Sequence, residues 1–523
     1  MRDDDTELLG EEGSNTLSGQ EGASGSHATT SAGLAHLGVV VLVLGALGAL
    51  PYASSALRRW QPWVEGEGVP IVRMFTREEP IEGGLAVATG GAASGAPAGN
   101  VASVLGDAVV ANLAEDDAPP PEPAPTAPDE APPAVRIDPS ELEGLVLELE
   151  DPDGRAMRPF YDALLRTAQR EPGAITRVAH YGDSSIAGDG ITVTMRRQLQ
   201  RRFGDAGHGF VLIARGTMPY RHQDVRHSAD DAAWDLDQLI RAGRRDHVYG
   251  YGGVMSRATS ASARFGTDDS GPVGGRVSRF ELWYRQHPRG GRVDLRVDDG
   301  EREVVSTRGE TMDAWHSVQV PDGPHRLELR AIGGGEAQLF GMVLERDGPG
   351  VVYDSLGMVG ARARRMLGLD PEHFRAQHQH RQTNLVVIHF GGNDADDAGR
   401  TGPQFEDDFR QVIRLVRRAR PEAACLLMAP LDQAVRDERG NIVTMAQVPV
   451  IVAAQRRAAE AERCAFFDTW QAMGGDGAMR RWFRSQPRLA FGDFRHATPA
   501  GYRVVGNMLY RAILKGFSDY LSR

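Results

Sequence analysis

Ile175-Thr176-Arg177-Val178-Ala179-His180-Tyr181-Gly182-Asp183-Ser184-Ser185 is the stretch that decides the fold. A short apolar run ends in glycine and small polar residues, and Ile191, Met195, Leu199 and Phe203 then recur at helical spacing. Strand, tight turn and helix in that order are one unit of an α/β fold. A serine on such a turn stands at the carboxyl end of its strand, where open parallel sheets place their ligands.

Outward from this unit the same texture recurs. A helix-like stretch, Met157 to Arg170, precedes it. Strand-like runs at Val351–Asp354, Leu385–Phe390, Cys425–Met428 and Cys464–Asp468 alternate with helical patterns at Phe405–Arg418 and Val448–Arg463. Alternation of this kind predicts a parallel sheet with helices on both faces, a three-layer αβα arrangement. Between about Arg215 and Gly350 the texture changes. Arg279–Arg285, Arg292–Val297, Glu303–Thr307, Ser317–Val320 and Arg326–Ala331 are short alternating runs, punctuated by Asp298-Asp299-Gly300 and Pro321-Asp322-Gly323-Pro324. That pattern predicts an all-β sandwich or jelly roll inserted into the α/β domain.

The first quarter reads differently again. Residues 32–53 are apolar apart from His36 and Tyr52, which predicts a single transmembrane helix. The segment before it is Gly/Ser-rich and acidic with Arg2 as its sole basic residue, a poor match to the positive start of a cleavable signal. Arg58 and Arg59 follow the span and by the positive-inside rule place that side in the cytoplasm; against them stands a long Pro/Ala/Gly-rich spacer, which makes sense as a tether outside the cell. The predicted organisation is a leader (1–31), an anchor (32–53), a linker (54–138), a first catalytic part (139–214), the β insert (215–350) and a second catalytic part (351–523). Residues 1–135 carry a net charge of -14 out of -12 for the whole chain, so the remainder is close to neutral at +2. Acidity belongs to the leader and linker, and no basic stripe argues for nucleic acid.

Chemistry is concentrated at the strand ends. Ser184 follows the first strand, Gly357-Met358-Val359-Gly360 the second and Gly391-Gly392-Asn393-Asp394 the third, while Asp493-Phe494-Arg495-His496 precedes the helix-starting pair Thr498-Pro499. Acyl transfer needs a nucleophile, a base, a group orienting that base and donors for the oxyanion. Ser184 can attack, His496 can accept its proton, and Asp493 can fix the imidazole tautomer. Backbone N–H groups of Ser184 and Gly360 and the Asn393 amide can form the oxyanion hole. Each element alone is a common turn or cap; four of them at successive strand ends make a joint signal.

These blocks resemble the SGNH (GDSL-type) hydrolases: Gly182-Asp183-Ser184 as the first, Gly360 as the second, Gly391-x-Asn393-Asp394 as the third and Asp493-x-x-His496 as the last. The likeness spans roughly residues 150–215 and 350–520. Gly182-Asp183-Ser184-Ser185-Ile186, the Gly-rich Phe203–Phe210 and Ala472-Met473-Gly474-Gly475 are similar, more narrowly, to bacterial peptidoglycan O-acetylesterases, which carry a carbohydrate-binding-like β-domain between the first and second blocks. Ser185 departs from the many relatives with His at that place. The resemblance implies an extracytoplasmic, membrane-tethered serine esterase that removes O-acetyl groups from a cell-envelope polysaccharide and needs no metal or organic cofactor. A polysaccharide O-acetyltransferase and a non-catalytic glycan-binding protein on the same fold are the alternatives.

Other features weigh less. His373, His378 and His380 lack an accompanying acidic or Cys ligand pattern and are expected in a solvated loop before the third strand, and His222 and His227 are treated alike. Asp354 and Asp468 stand at strand ends and either contact substrate or cap loops. Trp283, Tyr284 and Trp315 are expected in the core of the insert, with sugar stacking the other use of such rings. Cys425 and Cys464 are expected as two buried thiols, with a disulfide open to them if their strands lie side by side.

Overall fold

The computed structural model describes residues 135–241 and 243–523. The leader, the predicted anchor and the linker up to residue 134 lie outside them, and among the described residues no helix is long and apolar enough to cross a membrane.

The chain enters along Val135–Leu149, where Leu142, Leu145, Leu147 and Leu149 pack onto the core. Helix α1 (Arg158–Ala168) leads to β1 (Ile175–Gly182), then to the short α2 (Ser184–Ala187) and to α3 (Gly190–Phe203). Nine antiparallel strands follow: β2 (Gly207–Val211), β3 (Val225–Ala229), β4 (Asp235–Gln238), β5 (Val254–Thr267), β6 (Val277–Gln286), β7 (Arg292–Val297), β8 (Arg302–Ser306), β9 (Met312–Gly323) and β10 (Arg326–Glu345). The α/β pattern resumes with β11 (Gly350–Gly357), α4 (Pro371–Arg381), β12 (Leu385–His389), α5 (Gly402–Ala419), β13 (Ala424–Met428), the hairpin β14 (Ala434–Arg436) and β15 (Ile442–Thr444), α6 (Gln447–Glu462), β16 (Ala465–Phe467), α7 (Thr469–Ala472), α8 (Ala478–Arg484) and α9 (Pro499–Leu521).

The parallel sheet runs β11-β1-β12-β13-β16, so the first strand in sequence lies between the second and third. Chain direction across the sheet reverses at β1, and the carboxyl ends beside such a switch point form the crevice of an open α/β sheet. Side chains of β1 alternate between two buried faces. Val178 joins Leu164, Leu199 and Leu509 on one side, and Ala179 joins Phe374, Phe409 and Ile451 on the other. Helices thus cover both faces, which is why the strands read as nearly continuous apolar runs.

In the insert, β10 is 20 residues long and pairs with β5, β6, β7 and β2, which joins the strands in one hydrogen-bonded sheet. Its first half pairs with β7 and its second with β6; the register breaks between Ile332 and Ala337, at three consecutive glycines, where β10 changes partner. β2 belongs to this sheet through Val211↔Met342 although it precedes the predicted start at residue 215. Phe265, Phe280, Leu282, Leu327 and Met342 form its core.

Buried charges fasten the insert to the α/β core. The Arg381 guanidinium grips Asp354 through Nε and Nη2 (2.7 and 2.9 Å) and also meets Glu345, which in turn binds Arg177 and Arg279. Tyr251 Oη and the Phe210 N–H donate to the same Asp354 (3.0 and 2.8 Å). Asp354 is therefore a structural anchor and not a loop cap. The three histidines expected in a solvated loop are instead on α4, which Asp370 caps through the His373 N–H. His373 meets Asp313 and His380 meets Glu281 across the junction (2.7 and 2.5 Å), with Trp315 stacked on His380. That face of α4 is polar because it is buried against charge, so the apolar periodicity that marks a helix is missing from the sequence. Cys425 and Cys464, expected as thiols, are bonded: β13 and β16 are neighbours, and the residues preceding Leu426↔Ala465 are opposite each other.

Candidate active site

The local sequence at the end of β1 builds a serine-bearing turn. Asp183 caps α2, its Oδ1 accepting from the Ser185 N–H and Oγ (3.0 and 2.8 Å), so the chain turns sharply at Ser184. Ser185 is used by this cap. β11 comes close alongside. A Cβ on Gly357 would lie 2.1 Å from Ala187 N, so only glycine permits the approach.

Downstream, Asp493-Phe494-Arg495-His496 forms a compact loop, with Phe494 at φ +57. Asp493 Oδ1 accepts from the N–H groups of Arg495 and His496 (3.0 and 3.1 Å), and Oδ2 meets His496 Nδ1 at 2.6 Å. His496 Nε2 lies 2.8 Å from Ser184 Oγ, across 312 residues of sequence. Burial opposes the charged form of Asp493, but the bonds from His496 and the two N–H groups outweigh it and hold the carboxyl at about 2. The hydrogen bond to Asp493 raises His496 above its ordinary value. Ser184, Asp493 and His496 are thus brought together as one line.

The second and third blocks meet through Ala361. Met358–Ala361 is a turn closed by the Ala361 N–H on Met358 O (3.0 Å), with Gly360 at its third position and φ +77, the conformation a glycine takes there. Met358 N–H donates to Gly182 O (2.8 Å), tying this loop to β1. Asn393 Nδ2 donates to Ala361 O (3.1 Å) and to Asp183 Oδ2 (3.3 Å). Asn393 lines the cavity around Ser184, together with His389, Gly392, Pro430, Leu431, Gln433 and Arg495; Gly360 does not.

Sequence reading missed several of these residues. Asp183 holds both the nucleophile turn and Asn393, and burial raises its carboxyl pKa. Asp394 is fully buried and pushed up to about 7, chiefly by burial. Arg495 makes a bidentate pair with Asp396 (2.7 and 2.6 Å), joining the His496 loop to the Asn393 loop. Pro430, Leu431 and Gln433 follow β13, and the rule that applied to the first three strand ends points to them as well. Elsewhere Asp468 caps α7 through the Gln471 N–H (2.9 Å) and pairs with Arg456. His378 bonds Tyr181 and Thr383 (both 3.1 Å), and burial pushes it down to about 3. Burial holds His222 at about 4, and His227 stacks on Phe265. Trp283 and Tyr284 are buried in the insert.

The model of the GDSL-like lipase/acylhydrolase family matches residues 326–504, a stretch holding Gly360, Asn393, Asp493 and His496 but not Ser184. Among solved structures, one described as a peptidoglycan O-acetylesterase in action is 22% identical, with a TM-score of 0.58, over 69% of this chain and 96% of its own; at that identity the likeness is one of fold. A family two carbohydrate esterase from Cellvibrio japonicus is 12% identical over 57% of this chain and 99% of its own, with a TM-score of 0.23. An acetyl xylan esterase is 17% identical over 31% and 80%, with a TM-score of 0.24. No curated protein matches.

Proposed function

We propose that this chain, whose residues 326–504 match the model of the GDSL-like lipase/acylhydrolase family, is an SGNH (GDSL-type) hydrolase that removes O-acetyl groups from a cell-envelope polysaccharide such as peptidoglycan, through an acyl-enzyme on Ser184. The observation that carries this reading is the line from Ser184 Oγ through His496 to Asp493, at 2.8 and 2.6 Å. With Nδ1 donating to Asp493, Nε2 is the nitrogen left to accept the serine proton. Oγ bonds to the ester carbonyl carbon as His496 takes that proton; collapse of the tetrahedral intermediate expels the sugar oxygen, which receives it. Water then gives a proton to His496, attacks the acyl carbon and releases acetate, and Ser184 regains its proton.

The Ser184 N–H and the Asn393 amide serve as oxyanion donors in this scheme; the Gly360 N–H, expected as a third, stands outside the lining of that cavity. Asn393 bonds Asp183 at 3.3 Å, beyond the usual N–H···O distance, so a charged oxyanion can compete for that N–H. The fold likeness to the peptidoglycan O-acetylesterase supports the substrate class. The disulfide supports placement in an oxidising, extracytoplasmic compartment, with residues 32–53 as the tether.

The decisive experiment is acetate release from a panel of acetylated glycans by the full chain. Ser184→Ala should cost at least ~10³-fold in kcat; undiminished turnover removes Ser184 from the chemistry. Acetyl appearing on an added acceptor glycan instead of in water would make the protein a transferase. For placement, protease added to intact spheroplasts should digest the body of the chain, and protection would put it in the cytoplasm.

A further inference from the structure

Among the described residues, the most exposed phenylalanine, tyrosine or tryptophan is Phe491, at 43%. The rings for which the sequence suggested sugar stacking are covered: Trp283 and Tyr284 are buried, and Trp315 is stacked on His380. Phe491 belongs to the loop that carries Asp493 and His496. At the base of that loop the chain pairs with itself. The Thr498 N–H donates to Leu489 O and the Phe491 N–H to His496 O (both 2.9 Å), about an antiparallel bridge between Ala490 and Ala497. Successive side chains along paired strands point to opposite faces, and directly opposed residues share a face. Ala490 and Ala497 are fully buried, so Phe491 and His496 stand together on the outer face, their Cβ atoms about 5 Å apart by the pairing. The other phenylalanine of the loop has a different place. Phe494 is buried, meets the edge of Phe483 at 5.0 Å and lies under the Arg436 guanidinium, which fixes the loop to the body of the protein.

We infer that Phe491 stacks on the pyranose ring that bears the acetyl ester, and so selects sugar esters over acyclic ones. The inference rests on the proposed roles of Ser184 and His496. His496 must reach the leaving oxygen to protonate it, so the alcohol portion of the ester lies on the His496 side of the scissile bond. When that alcohol is a sugar, its ring is on the side where Phe491 is exposed. A pyranose turns C–H groups to its face and hydroxyls to its edge. The C–H face suits the electron-rich face of a phenyl ring, and covering Phe491 removes its apolar area from water. Edge hydroxyls need polar partners, and Gln433 and Arg495 stand in the lining of the Ser184 cavity. Both are tied to this loop. Arg495 precedes His496, and Gln433 precedes Ala434, whose N–H donates to Phe494 O (2.9 Å).

The test follows acetate release by the full chain from two esters with non-aromatic leaving groups, β-glucose pentaacetate and glyceryl triacetate. Phe491→Ala should lower the sugar-to-glycerol ratio of kcat/KM about tenfold, with the loss in KM for the sugar ester. Phe491→Trp keeps an aromatic face and should hold the ratio near that of the wild type. Phe491→Leu is apolar without a ring and should lose the ratio much as alanine does. Ratios cancel differences in the amount of folded enzyme, so a poorly folding variant still reports. A ratio unmoved by alanine, or one that leucine preserves as well as tryptophan, overturns the stacking role. Ser184→Ala separates the two readings: acetate release surviving in it sinks the role of Ser184, whereas its loss there, with the ratio unmoved in the Phe491 variants, sinks Phe491 alone.

Discussion

His496 is held by a carboxylate three residues earlier on the same loop, and this fixes how the site titrates. The hydrogen bond to Asp493 stabilises imidazolium and raises the His496 pKa above its ordinary 6.5. A general base works as the neutral ring, so kcat/KM should fall as pH drops through that raised value. Asp493→Asn removes the stabilisation: a pH–rate profile of the variant should show its acid limb at lower pH and a plateau lower by about 10⁴-fold. An unmoved limb would assign it to another group. Ser184, His496 and Asp493 were legible as candidates because each is tied to a local pattern, a strand-ending turn or an Asp-x-x-His loop. The holding of Asn393 by Asp183 was not legible, because it joins residues 210 apart that meet only when β1 and β12 pair.

At the scale of elements, two loops carry the site and one ion pair joins them. Arg495 and Asp396 are each about a third exposed, at 32% and 40%, so their contribution to stability is small, about 0–1 kcal/mol. Their effect should appear in catalysis, since they set the His496 loop against the Asn393 loop. Asp396→Asn should lower kcat about fivefold with the melting temperature nearly unchanged, and Asp396→Arg with Arg495→Asp should recover part of the loss; kinetics of the single and double variants on one acetyl ester decide it. The helices with an apolar stripe were legible from spacing, as in α5 with Phe405, Phe409, Val412 and Val416. α4 was not, because its buried residues His373, Gln377, His378 and Arg381 face charges and hydroxyls on the insert and on β1.

On the scale of the whole molecule, the insert and the parallel sheet share one buried charge cluster. Burial opposes ionisation of Glu345, but Arg177, Arg381 and Arg279 outweigh it and hold the carboxyl well below its ordinary range. A depressed carboxylate contributes stability above its unfolded value of 4.5 that is lost as pH falls, so the junction is acid-sensitive. Arg381→Met leaves Asp354 buried without its bidentate partner and should cost about 3–5 kcal/mol by denaturant unfolding at neutral pH. A loss under 1 kcal/mol would mean that Tyr251 and the Phe210 N–H suffice for Asp354. The sequence by itself determined the α/β class and the interruption by antiparallel strands, and it singled out Ser184, His496 and Asp493 as candidates, because periodicity and turn chemistry are written within a few residues of each other. Only the tertiary structure decided the order β11-β1-β12, the meeting of Ser184 with His496 and the disulfide. Those depend on which distant strands share an edge, and burial of both sheet faces selects that pairing without leaving a local mark.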